Sequence, residues 1–178
     1  FAMLGWTEMI YNHITLRLPD SVTGGEKHFL INPFGLHYSE VTASNLVKVD
    51  LNGRILGRSQ HPINPAGFVL HSTIHHGIEG AHAIMHTHTT AGVAVASLKS
   101  GLSQSNFYSA QLHDMVAYHP FEGITIHAEE GPRVLRSIGN KQAVILKTTA
   151  CSAGAAPSPK LLRFCGPCNG RVKFRWRP

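Results

Sequence analysis

The pair His86-Thr-His88 is the sharpest chemical signal in the sequence. On a strand, residues two apart project to one face, so two imidazoles can converge on a single ion. That geometry suits zinc. An HxH pair alone does not define a site, because a zinc site takes three or four ligands and the sequence holds 13 histidines in all. His71 and His75 are i and i+4 neighbours on a predicted helix, but His71-Ser-Thr-Ile-His75 lacks the glutamate of an HExxH metalloprotease. With His76 and His82, they read as packing or solvated histidines.

The elements that must position this pair are mixed. Apolar residues at Leu70, Ile74 and Ile78 recur at helical spacing, and Ala83-Ile-Met-His-Thr-His has strand length, which predicts a helix followed by a strand. His28-Phe-Leu-Ile is a short apolar strand stopped by Pro33 and Gly35. Leu46-Val-Lys-Val-Asp-Leu alternates, and Asn52-Gly53 leads back into Arg54-Ile-Leu, a hairpin signal. Further strands are expected at Gly123-Ile-Thr-Ile and Ala143-Val-Ile-Leu, with a helix at Pro132 to Ile138 that Gly139 terminates. Strands interleaved with helices predict a layered α/β fold.

Composition divides the chain. Its 178 residues are 43% hydrophobic and 15% charged, the make-up of one compact domain. The longest apolar run, Ala91 to Leu98, is far below the roughly twenty residues of a membrane helix, so no membrane partner is expected. The first residues carry no secretory-signal pattern, and Phe1 in place of an initiator Met is expected of a fragment. The net charge of +6 is uneven. Ten basic and ten acidic residues cancel across 1–147, so the whole excess sits in 148–178, which also holds Cys151, Cys165 and Cys168 and four of the ten prolines. Cys165-Gly-Pro-Cys168 has redox-pair spacing but no following helix. Arg171-Val-Lys-Phe-Arg-Trp-Arg interleaves basic and aromatic residues, yet the neutral body argues against a nucleic-acid partner. A domain over 1–147 and a separate tail over 148–178 are expected.

The body resembles the class II aldolase/adducin family, in order, over nearly all of residues 5 to 147. Gly5-Trp6 with Asn12-His-Ile-Thr-Leu-Arg17, Ile31-Asn-Pro-Phe-Gly-Leu-His-Tyr38, Val41 to Gly53, Ala83-Ile-Met-His-Thr-His88 and Tyr118-His-Pro-Phe-Glu-Gly123 carry the resemblance. It implies a three-layer αβα fold with a central, mainly antiparallel sheet, a preceding helix missing from this sequence, and a cytoplasmic homotetramer. It further implies a zinc-dependent aldehyde lyase acting on a small hydroxy-carbonyl or sugar-phosphate substrate. His86 and His88 match the first two zinc ligands, and Asn32 and Gly35 match the turn beside the substrate phosphate. A divalent cation there stabilises negative charge developing on oxygen. The other reading that the resemblance leaves open is a non-catalytic, adducin-head-like oligomerisation or cytoskeletal binding module.

Two positions depart from the family pattern. Gly67 stands where the sugar-phosphate aldolases carry a catalytic glutamate, and Glu79, roughly three turns further along the predicted helix, is too distant to replace it. Thr148-Thr149-Ala150 stands where the family's Asn-His-Gly would supply the third ligand. Weak zinc binding and impaired catalysis are therefore expected. Restoring one base before the Thr148 codon allows Thr148 to Ala155 to be re-read as Asn-His-Gly-Leu-Leu-Ser-Trp-Gly, so the tail is expected to be a shifted reading frame.

Overall fold

A computed structural model describes residues 1–148 and the backbone of 150–154. Seven strands form one sheet: β1 (His13–Arg17), β2 (His28–Ile31), β3 (Val47–Asp50), β4 (Ala83–Thr87), β5 (Val116–His119), β6 (Ala143–Leu146) and β7 (Ala150–Gly154). Their spatial order is β3-β2-β1-β4-β7-β6-β5. Every neighbouring pair is antiparallel except β5 with β6. The sheet is therefore mainly antiparallel, as expected.

Helices cover both faces. In chain order they are α1 (Asp20–Thr23), α2 (Pro65–Gly77), α3 (Thr90–Ser97), α4 (Phe107–Ala110) and α5 (Gly131–Ile138). Leu70 and Ile74 of α2 and Val134 and Ile138 of α5 pack on Ile84, Ala117, Val144 and Leu146. The alternate residues of the same strands face the other way. Ala83, Met85 and Ala143 meet Trp6, while Ile145 meets Ala96 of α3. Strands buried on both faces lose the apolar-polar alternation, which is why Ala143-Val-Ile-Leu reads as a continuous apolar run.

Local chemistry sets the ends of α2. The Asn64 side chain accepts hydrogen bonds from the backbone N–H groups of Ala66 and Gly67, and Pro65 occupies the first turn, where no amide hydrogen is needed. The helix stops at Gly77, so Glu79 stands in the turn beyond it, exposed, rather than on the helix as the spacing suggested. The Asn52-Gly53 hairpin is present, with Gly53 at φ +83° and a return limited to one bridge between Val49 and Ile55. The Asp50 carboxylate holds this turn by accepting from the N–H groups of Asn52 and Arg54, both at 2.9 Å.

The expected strand at 123–126 does not form. Gly123 adopts φ +103°, and Ile124 and Ile126 are 74% and 51% exposed. Their β-branched shape suits a strand only where a sheet offers packing, and here the edge position is taken by Val116–His119, parallel to β6. No helix among the described residues is long and apolar enough to cross a membrane.

Candidate functional site

Because β7 runs antiparallel to both β4 and β6, while β5 runs parallel to β6, the strands β4, β5 and β6 all end at one edge of the sheet. Strand β1, antiparallel to β4, begins at that edge. A cavity of about 400 Å³ opens there, lined among others by Tyr11, His13, His86, His88, His119 and Glu130. His86 lies near the end of β4 and His88 just beyond it, and their Nε2 atoms are 2.9 Å apart. The two-residue spacing thus delivers both imidazoles to one point. Asn12 fixes the exit of the strand: its Oδ1 accepts from the His88 backbone N–H at 2.6 Å, and its Nδ2 donates to Trp6 O and Glu8 Oε2. Tyr38 donates its hydroxyl to Asn12 O at 2.8 Å, so the Asn32-to-Tyr38 turn is tied to the same support.

Behind the pair lies a polar spine inside the core. The His13 ring stacks on His86, with centroids 4.5 Å apart and 12° between planes, and meets His71 edge-on at 4.4 Å. Thr15 Oγ1 lies 2.8 Å from both His71 Nδ1 and His75 Nε2. His75 Nδ1 lies 2.8 Å from Ala81 O, which can only accept, so Nδ1 carries the His75 proton. Burial lowers the His75 pKa to about 4, so the ring is neutral near pH 7 and its Nε2 accepts the Thr15 hydroxyl proton. The remaining lone pairs of Thr15 then accept from His71 Nδ1–H. With His75 neutral, hydrogen-bond satisfaction thereby assigns both tautomers. His71 Nε2 is left bare, without a hydrogen-bond partner among the described residues.

Desolvation holds His13, His71 and His86 well below the ordinary imidazole pKa, and neighbouring histidines push in the same direction. Neutral imidazoles are the protonation state that a metal requires. The packing reading of His71 and His75 is borne out, since both are buried, whereas His76 and His82 are exposed.

A second group lines the cavity from β5. His119, 1% exposed, has Nδ1 at 2.9 Å from Ser137 Oγ and Nε2 at 3.3 Å from Glu130 Oε1 and 3.7 Å from Glu122 Oε1. Arg133 grips Glu122 Oε2 through Nε and Nη2, and this pairing lowers the Glu122 pKa. Tyr118-His-Pro-Phe-Glu-Gly123 carries the family resemblance, but the sequence alone gives its side chains no role. The three-residue spacing of His119 and Glu122 was the available signal, while Glu130 joins them only through the fold.

Asn32 and Gly35 are placed differently from the histidines. Asn32 Oδ1 accepts from Ile14 N–H at 2.9 Å and so ties the turn to β1. Gly35 is exposed, at φ +98°, a conformation that glycine adopts without strain. Phe34, between them, lines the cavity. Thr149, at the third-ligand position, and the Cys165/Cys168 and Arg171–Arg177 segments lie outside the described residues.

A sheet of this order, covered on both sides and carrying an HxH strand at its functional edge, defines a class of protein. The chain belongs to the class II aldolase and adducin N-terminal domain family, whose model matches residues 1–152. It is 44% identical over 146 residues to a Caulobacter vibrioides protein bearing the name of a class 2 aldolase, covering 82% of this chain and 55% of that one. Identity is also 44% over 146 residues to alpha-adducin of Mus musculus, covering 81% of this chain and 19% of that protein. The crystal structure of an aldolase II superfamily protein from Pseudomonas syringae superimposes with TM-score 0.85 at 39% identity, covering 94% of this chain and 68% of that one. L-fuculose 1-phosphate aldolase from Glaciozyma antarctica PI12 superimposes with TM-score 0.80 at 26% identity, covering 96% and 66%. The chain spans about half the length of the bacterial relatives it matches, 55% and 54%.

Proposed function

We propose that His86 and His88 are metal ligands of a zinc-dependent aldehyde-lyase site for a small hydroxy-carbonyl or sugar-phosphate substrate, impaired in this chain. The observation that carries the reading is the convergence of the two Nε2 atoms to 2.9 Å on the cavity wall. A nitrogen-donor pair suits zinc. When bound, the ion supplies Lewis acidity toward a substrate oxygen. The chain's own residues supply the support: Asn12 fixes the backbone of His88, and His13 stacks on His86 so that its ring cannot turn away. Tyr11 contacts the His88 ring edge-on at 6.0 Å.

Impairment follows from what stands at two positions. Gly67 offers no carboxylate, and Thr149 offers no imidazole. Zinc titration by calorimetry tests the ligand assignment: a binding event present in the unmodified chain is expected to be lost after joint His86→Ala and His88→Ala substitution, any zinc held elsewhere remaining. An unchanged titration in that variant would refute it. Stoichiometric zinc with measurable aldol cleavage by the 178-residue chain would refute impairment.

A second reading, a non-catalytic oligomerisation module of the adducin-head type, is favoured by Gly67 and by the 44% identity to alpha-adducin. Sedimentation combined with zinc titration distinguishes it: a homotetramer that takes up no zinc at His86 and His88 supports this reading. We further propose that the reading frame is shifted from Thr148 onward, strand β7 (Ala150–Gly154) of the sheet included, and that the protein works in the cytoplasm. The encoding DNA tests the former, because its third bases must spell the alternative frame from Thr148.

A further inference from the structure

We propose that His119, Glu122 and Glu130 form a second divalent-cation site, suited to a hard ion such as Mn²⁺, at the β5 side of the cavity. One donor atom from each lies within 4.8 Å of the other two. The distances from His119 Nε2, 3.3 Å to Glu130 and 3.7 Å to Glu122, exceed the roughly 2.7–2.9 Å of a charge-assisted hydrogen bond. They approach the spacing of roughly 3.0–3.6 Å between neighbouring donors around one ion bound at about 2.1–2.2 Å.

Proton accounting points the same way. Nε2 carries at most one hydrogen, yet two carboxylate oxygens face it, so a hydrogen bond from Nε2 serves one of them and not the other. A cation between the three atoms satisfies all of them. The surroundings are those of oriented ligands: His119 Nδ1 is engaged by Ser137 Oγ, and the second oxygen of Glu122 is gripped by Arg133. Outer partners of this kind fix ring and carboxylate orientation in metal sites. One imidazole with two carboxylates favours a harder ion than the all-imidazole pair His86/His88.

The two groups stem from different strands: β4 and β5 are three steps apart in the sheet order, about 14 Å at the usual spacing between strands, and both groups line one cavity. The second group shares no ligand with the histidine pair.

Mn²⁺ titration of the full chain, with free ion counted by electron paramagnetic resonance, tests the proposal. One Mn²⁺ per chain is expected, retained with unchanged affinity when His86 and His88 are both replaced by alanine. Binding at least tenfold weaker is expected in Glu130→Gln and in Glu122→Gln. The Glu122 side chain is 25% exposed and so tolerates substitution even if the Glu130 variant unfolds. Binding like that of the unmodified chain in a folded glutamate variant would overturn the proposal, as would no Mn²⁺ bound up to millimolar concentration or its loss in the double histidine variant.

Discussion

A Cβ atom on Gly67 would lie 2.8 Å from Cδ2 of His13, inside the contact distance of any real side chain. The His13 ring cannot retreat, because it is stacked on His86 and abuts His71. An imidazole from β1 thus fills the space over α2 that a residue at position 67 would enter. The missing carboxylate is matched by its neighbourhood, so restoring glutamate there requires a second change at His13.

Gly67→Ala is therefore expected to destabilise the fold, although alanine is the better helix former by about 1 kcal/mol. Overpacking costs about 1–3 kcal/mol and outweighs that gain. Urea-unfolding midpoints check it, and His13→Ala in the Gly67→Ala background should recover part of the loss through non-additivity. A Gly67→Ala chain as stable as the original would remove the argument.

Thr15→Val keeps the shape of the side chain and deletes the hydroxyl between His71 and His75. Two buried ring nitrogens then lose a partner, at roughly 1–3 kcal/mol each. Thermal unfolding should show a fall of several degrees, and a proton-detected spectrum should lose the ordered tautomers of both rings.

Stability should fall on mild acidification. The folded pKa of His75, about 4, lies below its unfolded value of about 6.5. For a base lowered in this way, the unfolded chain takes up the proton first. The contribution is thus fully present above about pH 6.5, declines as pH drops toward 4, and levels off below. For this buried ring it reaches about 3 kcal/mol. Unfolding free energies measured from pH 7.5 to 4.5 check the slope, and His75→Gln should remove that histidine's share of it while His13, His71 and His86 keep theirs.

Asn12→Ala frees the backbone N–H of His88 and the chain around Trp6 and Glu8. Zinc affinity at the histidine pair should fall about tenfold, within the usual range for loss of an orienting partner, while the Mn²⁺ affinity of the His119 group stays constant. Calorimetry with each metal separates the two effects.

The sequence is a good guide where the code is local. The two-residue spacing of His86 and His88 predicts convergence because strand geometry is periodic, and Gly139 marks a helix end through backbone chemistry. The His13–Gly67 packing and the meeting of His119 with Glu130 are not legible, since they depend on which strands lie side by side. The strand expected at 123–126 fails for the same reason: Ile-Thr-Ile has the right shape, but Val116–His119 holds the place beside β6. His71 and His75 read as packing or solvated; the fold makes them packing residues, and their shared partner, Thr15, lies 56 and 60 positions away.

The spine from Ala81 through His75 and Thr15 to His71 also acts as a lock on strand alignment. Thr15 sits opposite Ile31 on one side and Ile84 on the other. A slip of β1 by one residue would bring Ile14 or Leu16 to that place and turn the hydroxyl to the opposite face. Misaligned pairings would strand two buried imidazoles at a cost of roughly 2–6 kcal/mol. A polar group deep in the core, unrelated to any ligand, thereby selects one alignment of the central strands and with it the placement of His13 against His86.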